Sequence, residues 1–304
     1  MVQLYEKIFY DNEVTGKNNA RLSVASSAVL YGLSVYTVFP VSINKEGQKV
    51  AFRLTEHFQR LTNSAKIIGI DNFEKNWNLE KFIDATKKLT DANDINEDVF
   101  VRATVHVDAQ IAGTRSRGLS TVVSMFVYNA ESILPRKGAR LKTSVWRRIP
   151  DYAIPSRAKV NGAYVNSVLA KQDAIDSGYD DCIFLDFNGH VCELSAANIF
   201  MVRHGQLITP DATHDLLEGI NRRTIIQLAR DQGIEVVERS IDLTELYIAD
   251  EVFACGTSAY LTPIIEIDAR KIHGPGKITK QLGKLHAEVI KGDSYEYSGF
   301  ITPL

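Results

Sequence analysis

Apolar and polar positions come in short runs at the start of the chain and then settle into one long apolar block. Residues 3–15 read as a hairpin around Asp11-Asn12, a turn pair between two β-rich runs. LSVYTVFPVSI (33–43) is β-rich throughout and predicts a long strand, after which KEGQ (45–48) turns the chain into a second strand, KVAFRL. In TEHFQRLTNSAKIIG (55–69) the period changes. Phe58, Leu61 and Ile67 recur near helical spacing, with Thr55 as the expected N-cap. A second helix is predicted over 78–92, then strands over 98–109 and 119–128. NAESILPRKGAR (129–140) mixes proline, glycine and charge and reads as an interdomain linker.

Beyond it, short strands interleave with three helices. Residues 162–177 predict a helix closed by Gly178. Phe187-Asn188-Gly189 and His204-Gly205 each separate two strand-like runs and predict hairpins. GINRRTIIQLARDQG (219–233) opens and closes on glycine and predicts another helix. Strands IEVVERSID, EVFACG and LTPIIEID and a terminal helix from about 277 complete the pattern. Two α+β domains are expected, 1–128 and 141–304 around the linker 129–140, the second on a meandering sheet or pseudo-barrel.

Composition narrows the class without naming a chemistry. The 304 residues are 45% hydrophobic and 24% charged, the balance of a soluble globular protein, and the net charge of −2 gives no electrostatic footprint for nucleic acid or an anionic membrane. The strongly apolar runs are too short to cross a bilayer, and the early charges of MVQLYEKIFY lack a signal-peptide core, so a cytoplasmic protein is expected. Cys182, Cys192 and Cys255 fit neither a zinc site nor a CxxC pair, and are expected to be reduced and buried. With no HxxxH or HExxH among the histidines, no metal is expected; GxxxxGK[ST], GxGxxG and GxSxG are also absent.

SRAKVNGAYVNSVLA (156–170) sets Lys159 between a proline-containing approach and the start of a helix. Most lysines are solvated and inert, so position alone assigns it nothing. Three further segments are compatible with a shared chemistry. Glu193 ends HVCE and precedes the small run Leu194-Ser195-Ala196-Ala197. LEGIN (217–221) puts Gly219 and backbone N–H groups at a helix N-terminus, an anion site that glycine lets a ligand approach closely. Cys255-Gly256-Thr257-Ser258 brings a hydroxyl to the end of an apolar strand. A lysine, a carboxylate and a phosphate cradle are what a pyridoxal phosphate enzyme needs. Each also has an ordinary reading, Glu193 as a capping or surface carboxylate and LEGIN as a plain helix start, and spacing alone does not make them converge.

Longer motifs weigh more: IPSRAKVNGAYVNSVLAKQDAIDSGYDDCIFLD, GHVCELSAANIF, LEGINRRTIIQLA, ADEVFACGTSAYLTPI and, nearer the start, EHFQRLTNSAKIIGI. With these the sequence resembles the fold-type IV pyridoxal phosphate aminotransferases, and most closely the branched-chain amino-acid aminotransferases. The resemblance covers nearly the whole chain and is strongest over 141–267. It implies a D-amino-acid aminotransferase-like fold, a small α/β sandwich domain plus a larger pseudo-barrel domain that binds pyridoxal 5'-phosphate. It implies Lys159 as the Schiff-base lysine, acting as nucleophile and then as general base and acid. By the same resemblance Glu193 would pair with the ring nitrogen, Tyr164 with the phenolic oxygen and Arg60 with the phosphate. Backbone N–H groups of Ile220 and Asn221 and the Thr257 hydroxyl would complete the cradle, with Asn221 standing where threonine is common. Tyr31, Tyr36, Phe100 and Arg102 would lie by the substrate, with Ser258 and Ala259 as backbone donors. Amino-acid and 2-oxo-acid substrates and a homodimer or higher homo-oligomer are implied, with no nucleic acid or membrane as partner.

Departures from the family pattern cluster in the first domain. SVYTVFPV replaces SVFEGIRxY, so Thr37, Val38 and Pro40 stand for glutamate, glycine and arginine, and Phe100 replaces a tyrosine. An L-branched-chain transaminase using 2-oxoglutarate is the leading expectation. A D-amino-acid or amine transaminase of the same fold would account for the departures. Aminodeoxychorismate lyase chemistry is a third reading, and a cofactor-binding protein without turnover a fourth, opposed by the intact Lys159, Tyr164 and Glu193. GTRSRG (113–118) adds Arg115 and Arg117, either a solvated basic turn or a carboxylate clamp.

Overall fold

Both residues of the Asp11-Asn12 turn adopt positive φ (48° and 69°) and join β1 (Leu4–Tyr10) to β2 (Glu13–Gly16). A two-residue turn of this hand matches the twist of paired strands. The computed structural model describes residues 3–304, which divide into two units. The first holds the chain up to Glu131, together with Ala158–Ala163 and Val289–Leu304. The second holds Ser132–Arg157 and Tyr164–Glu288.

In the first unit follow α1 (Ser27–Leu30), β3 (Ser34–Ile43), β4 (Lys49–Phe52), α2 (Leu54–Ile67), α3 (Phe73–Asn76), α4 (Leu79–Ala92), β5 (Val99–Val107) and β6 (Thr121–Asn129). The strands run in the order β4-β3-β5-β6-β1-β2. β3 and β5 are antiparallel, with Tyr36 opposite Thr104, Val38 opposite Arg102 and Pro40 opposite Phe100. Val35, Phe39 and Val41 share a core with Val101, Ala103 and Val105, with Leu61 and Ala65 of α2 and with Phe82 and Leu89 of α4. Successive strand residues point to opposite faces, so Tyr36, Val38, Phe100 and Arg102 lie together on the other side of the sheet. Both faces of β3 are buried, and for that reason its sequence reads as a continuous apolar run.

α2 does not begin at Thr55. Its N-cap is Arg53, in the left-handed region at φ 46°, and Thr55 is an exposed residue inside the helix. Arg53 N–H donates to Phe300 O at 2.6 Å, its guanidinium carbon lies 3.5 Å from the Phe300 ring centroid, and Nη1 pairs with Glu56 at 2.6 Å. A partner from the far end of the chain holds this conformation, so the local cap signal fails. Leu61 is buried as expected, whereas Ile67 is exposed.

The second unit contains β7 (Ala139–Thr143), α5 (Tyr164–Asp176), β8 (Asp181–Leu185), β9 (Val191–Leu194), β10 (Asn198–Arg203), β11 (Gln206–Thr209) and α6 (Ile220–Asp231). β12 (Val236–Glu238), α7 (Leu243–Tyr247), β13 (Glu251–Gly256), β14 (Tyr260–Ile267), β15 (Arg270–Lys271) and α8 (Lys277–Lys291) follow. Pairing runs β10-β13-β14-β7-β8-β9, and Asn198 opposite Glu193 joins β9 back to β10. That closes a circuit, the pseudo-barrel expected of this region. The strand expected over IEVVERSID is shorter, Val236–Glu238, and its expected last residue, Asp242, instead caps α7, where the Glu245 carboxylate accepts from Asp242 N–H at 3.2 Å. Among the described residues no helix is long and apolar enough to cross a membrane.

Two segments expected in the second domain belong to the first unit. β4 pairs β3 only along Val41–Ile43, leaving the same edge open further back, where Val160 bridges to Val35. The final strand, β16 (Ile301–Pro303), pairs with the outer edge of β4. Residues 158–163 and 289–304 are therefore parts of the first sheet's neighbourhood, brought there by strand pairing that no local pattern announces.

Candidate active site

In the first unit, Lys159 is fixed by its backbone. Its N–H donates to the buried Ser64 Oγ at 3.0 Å, and its carbonyl accepts from Tyr36 N–H at 3.0 Å. Asn161 N–H then donates to Ser34 O at 2.9 Å, and its side-chain Nδ2 to Ser34 Oγ at 2.6 Å. A strand-like pairing to β3 thus sets the lysine, one turn before α5 begins. Gly162 makes the approach tight. A Cβ on Gly32, which sits at φ +64°, would come within 2.9 Å of Gly162 Cα, so that pair of residues has room for hydrogens only.

The Lys159 side chain is half-buried, with Nζ 4.9 Å from the Tyr36 ring centroid. Arg102 approaches the same ring, its guanidinium carbon 3.6 Å from the centroid, and donates to Asn161 Oδ1 at 2.6 Å. Tyr36, Phe100 and Arg102 therefore share a sheet face with the lysine's amine beside it. Burial, and then the charge of Arg102, push His106 down to about 4. Arg60 lies at α2, where Nη2 donates to Thr37 Oγ1 at 3.1 Å; Thr37 also meets His57 Nδ1 at 2.7 Å. Tyr31 precedes Gly32, the residue packed against Gly162. It is 44% exposed at the end of α1, and its hydroxyl accepts from Gly113 N–H at 3.1 Å, pinning one end of the 113–118 loop. Gly118 N–H, donating to Asp71 at 3.0 Å, pins the other, and Arg115 and Arg117 are exposed between them.

In the second unit, Glu193 lies at the seam that closes the barrel and is only 6% exposed. Arg148 Nη2 meets its Oε1 at 3.0 Å; Asn198 Nδ2 and Leu217 N–H each donate to Oε2 at 3.2 Å. An ionised carboxylate this deep needs such partners. Sequence reasoning missed both Arg148 and Asn198. Arg147 and Arg148 are adjacent, and nothing local says which turns inward; Asn198 reads as one more strand residue.

Gly219 caps α6 without a side chain to cover the first N–H groups, those of Ile220 and Asn221. Its φ of −63° is open to any residue; glycine is needed because a Cβ would collide with Asn198 Oδ1. The sequence suggested close approach by a ligand, and the structure adds the neighbour that orients Glu193. The Asn221 side chain, whose contact the sequence left open, donates from Nδ2 to Thr257 Oγ1 at 3.2 Å. Ser258 O accepts from Ile133 N–H at 3.0 Å, and Ala259 is fully buried. Tyr164 is half-buried at the first residue of α5.

The fold also gathers Asp186, His190 and His214, whose ligand-type atoms lie within 4.8 Å of one another. No spacing rule would find them. Burial opposes ionisation of Asp186, yet hydrogen bonds from His214 Nδ1 (2.7 Å) and His190 N–H (2.9 Å) hold its carboxyl below the usual range. His214 Nε2 meets Ser240 at 2.7 Å, so the group ties three loops together. All three cysteines are free and buried, and burial pushes their thiols up, Cys255 to about 12.

A profile described as "Amino-transferase class IV" matches residues 34–267. The chain belongs to the class IV aminotransferases. Over 301 residues this class IV aminotransferase is 36% identical to the probable branched-chain-amino-acid aminotransferase of Aquifex aeolicus (strain VF5), covering 97% of this chain and 96% of the relative. Among solved structures it is similar to the branched-chain aminotransferase of the thermophilic archaeon Thermoproteus uzoniensis with norvaline. There the TM-score is 0.94 at 35% identity, with 98% and 99% of the two chains covered. It is also similar to the T.th. branched-chain amino acid aminotransferase complexed with N-(5'-phosphopyridoxyl)-L-glutamate, with TM-score 0.90, 33% identity and 98% of each chain covered. The class IV aminotransferase thus has the fold-type IV architecture that its motifs imply.

Proposed function

We propose that the chain is a pyridoxal 5'-phosphate-dependent transaminase that moves the amino group of leucine, isoleucine or valine to 2-oxoglutarate. The observation that carries this reading is the buried Glu193 carboxylate, held by Arg148, Asn198 and Leu217 N–H, in a chain similar along its length to branched-chain aminotransferases. The solved relatives support two substrate arms: one holds norvaline, an apolar amino acid, and the other a phosphopyridoxyl group joined to L-glutamate.

The residues fit the cofactor. A carboxylate offers about four acceptor sites, so Glu193 can take a ring N–H on Oε1 beside Arg148. The N-terminus of α6, uncapped by any side chain, suits a phosphate. When bound, the cofactor supplies an electron sink that lets an amino group pass between an amino acid and a 2-oxo acid. Lys159 would hold it through Nζ and then carry a proton from and to the substrate Cα. Glu193 would keep the proton on the ring nitrogen, and the Tyr164 hydroxyl would meet the phenolic oxygen. Arg60, the Ile220 and Asn221 N–H groups and the Thr257 hydroxyl would bind the phosphate. Tyr31, Tyr36, Phe100, Arg102 and the backbone of Ser258 and Ala259 would receive the substrate.

The test is a panel of L- and D-amino donors and amines, each with 2-oxoglutarate, read as glutamate formed. L-leucine, L-isoleucine and L-valine should lead. A preference for D-amino acids or amines would favour the second reading, and turnover of aminodeoxychorismate alone the lyase. Arg102→Ala should weaken 2-oxoglutarate far more than a branched-chain oxo acid, by about ten- to a hundredfold for a charge-assisted contact. Equal losses would instead mark its hydrogen bond to Asn161 as the part that matters.

The reading extends to a cytoplasmic homodimer or larger assembly. α5 exposes Val165, Val168 and Leu169, and the first unit exposes Val24, Val29 and Leu30, apolar surface that a second copy would cover. Three free, buried cysteines suit a reducing compartment. Sedimentation of the holoenzyme should give a dimer or more, and a fully active monomer would overturn it.

A further inference from the structure

Asp186 and His190 stand at the two ends of the turn between β8 and β9, DFNGH. Asp186 N–H donates to His190 O at 2.8 Å, and Gly189 supplies the positive φ (91°) that closes the turn. The backbone therefore fixes the spacing of the two side chains. His214 enters from the segment between β11 and α6, and its ring meets that of His190 edge to face, with centroids 5.2 Å apart. The set follows no HxxxH or HExxH spacing, so the sequence alone predicts no metal here.

The atoms that converge are those a divalent cation uses. Asp186 Oδ1 is taken by His190 N–H at 2.9 Å, which leaves Oδ2 between the rings. It lies 2.7 Å from His214 Nδ1 and 3.6 Å from His190 Nδ1. The second distance is too long for a hydrogen bond, and His190 Nδ1 is buried with no hydrogen-bond partner among the described residues. A polar atom left in that condition asks for an explanation, and a metal ion would satisfy it. Both far nitrogens face oxygen. His214 Nε2 meets Ser240 Oγ at 2.7 Å and Asp211 Oδ2 at 3.6 Å, and His190 Nε2 lies 3.8 Å from Asp242 Oδ1. Outer acceptors of this kind hold the ring hydrogen on Nε2 and turn the Nδ1 lone pair inward. The Ser240 hydroxyl can donate or accept, so His214 can carry its hydrogen on Nε2 once a cation takes Nδ1.

Two imidazoles and a carboxylate suit a borderline cation such as zinc, whereas calcium and magnesium prefer oxygen alone. In a zinc tetrahedron, ligand atoms stand about 3.3 Å apart, so the 3.6 Å edge already fits and the 2.7 Å edge opens by about 0.6 Å. The His190 side chain is 33% exposed, which gives the ion a way in and a water for its fourth position.

We propose that Asp186 Oδ2, His190 Nδ1 and His214 Nδ1 form a zinc site. It has a structural task. Three residues beyond His190 and His214 the same two segments meet again, where Leu217 N–H donates to Glu193 Oε2 at 3.2 Å. A cation at the first contact braces the second, and with it the Glu193 carboxylate.

The test adds zinc chloride to chelator-treated full-length protein and reads bound metal by equilibrium dialysis. One equivalent per chain is expected, with a melting temperature that rises with zinc concentration. His190→Ala should lose more than about a hundredfold in zinc affinity, beyond what removal of an outer partner costs, and the melting shift with it. Ser240→Ala, which keeps all three ligands, should lose only about tenfold. If alanine at position 190 prevents folding, His190→Phe keeps the ring's bulk without a nitrogen and reads the same loss. Cobalt(II) in place of zinc should add the visible absorption of a four-coordinate ion to the wild-type spectrum and not to that of the His190 variant. A wild-type protein that binds no zinc, or equal zinc binding by wild type and the His190 variant, would overturn the proposal.

Discussion

Lys159→Ala should lose turnover by on the order of a million-fold, the scale seen when a covalent nucleophile is removed, while the protein stays folded. The structure separates the two effects. Two hydrogen bonds that fix this position run through the backbone, to Ser64 Oγ and from Tyr36 N–H, with the Val160–Val35 bridge beside them. Alanine keeps all of them. What goes includes Nζ and its approach to the Tyr36 ring, a contact worth about 0.5–2 kcal/mol, so the melting temperature should move little. Cofactor should remain bound without a covalent link. Borohydride reduction of the wild-type holoenzyme, followed by digestion, should place the adduct in the AKVNGAYV peptide. An adduct on another lysine would overturn the assignment.

Glu193→Gln should retain cofactor and lose about a hundredfold in kcat, or about 3 kcal/mol, because a neutral amide cannot keep the ring nitrogen protonated. The local geometry adds a second cost. If the new NH2 takes the place of Oε1 it faces the Arg148 guanidinium; if it takes the place of Oε2 it faces Asn198 Nδ2 and Leu217 N–H. Either way a donor is buried against donors, and Arg148 loses its ion pair. Melting of the cofactor-free variant reads that structural part; kcat of the folded holoenzyme reads the chemical part. A lower melting temperature with near-normal kcat would mean that the ring-nitrogen partner is another group.

Local chemistry was legible wherever the causes were local. Asp11-Asn12 and His204-Gly205 could be recognised because both positions of each pair take positive φ, which these residues tolerate. The helix at Ile220 was visible from the glycine that caps it and the apolar spacing within it. Lys159 and Glu193 were picked out by their surroundings of small residues, and by motifs long enough to carry a family likeness. What stayed hidden came from distant parts of the chain. Arg53 takes its left-handed conformation from Phe300, Glu193 is held by Arg148 and Asn198, and Asn221 meets His286. The grouping of segments into units has the same distant origin. Residues 158–163 look like the approach to α5, and only the uncovered edge of β3 makes them neighbours of the first sheet.

That interleaving sets a timetable for synthesis. A chain leaving the ribosome makes β4 early, yet β16, the strand that covers its outer edge, lies at Ile301–Pro303. The open stretch of β3 likewise waits for Val160. The barrel strands, all between Ala139 and Lys271, can pair among themselves before the last residues emerge. The half of the protein made first is therefore finished last. Until then its sheet carries bare strand edges, the surfaces through which nascent chains stick to one another and which chaperones shield.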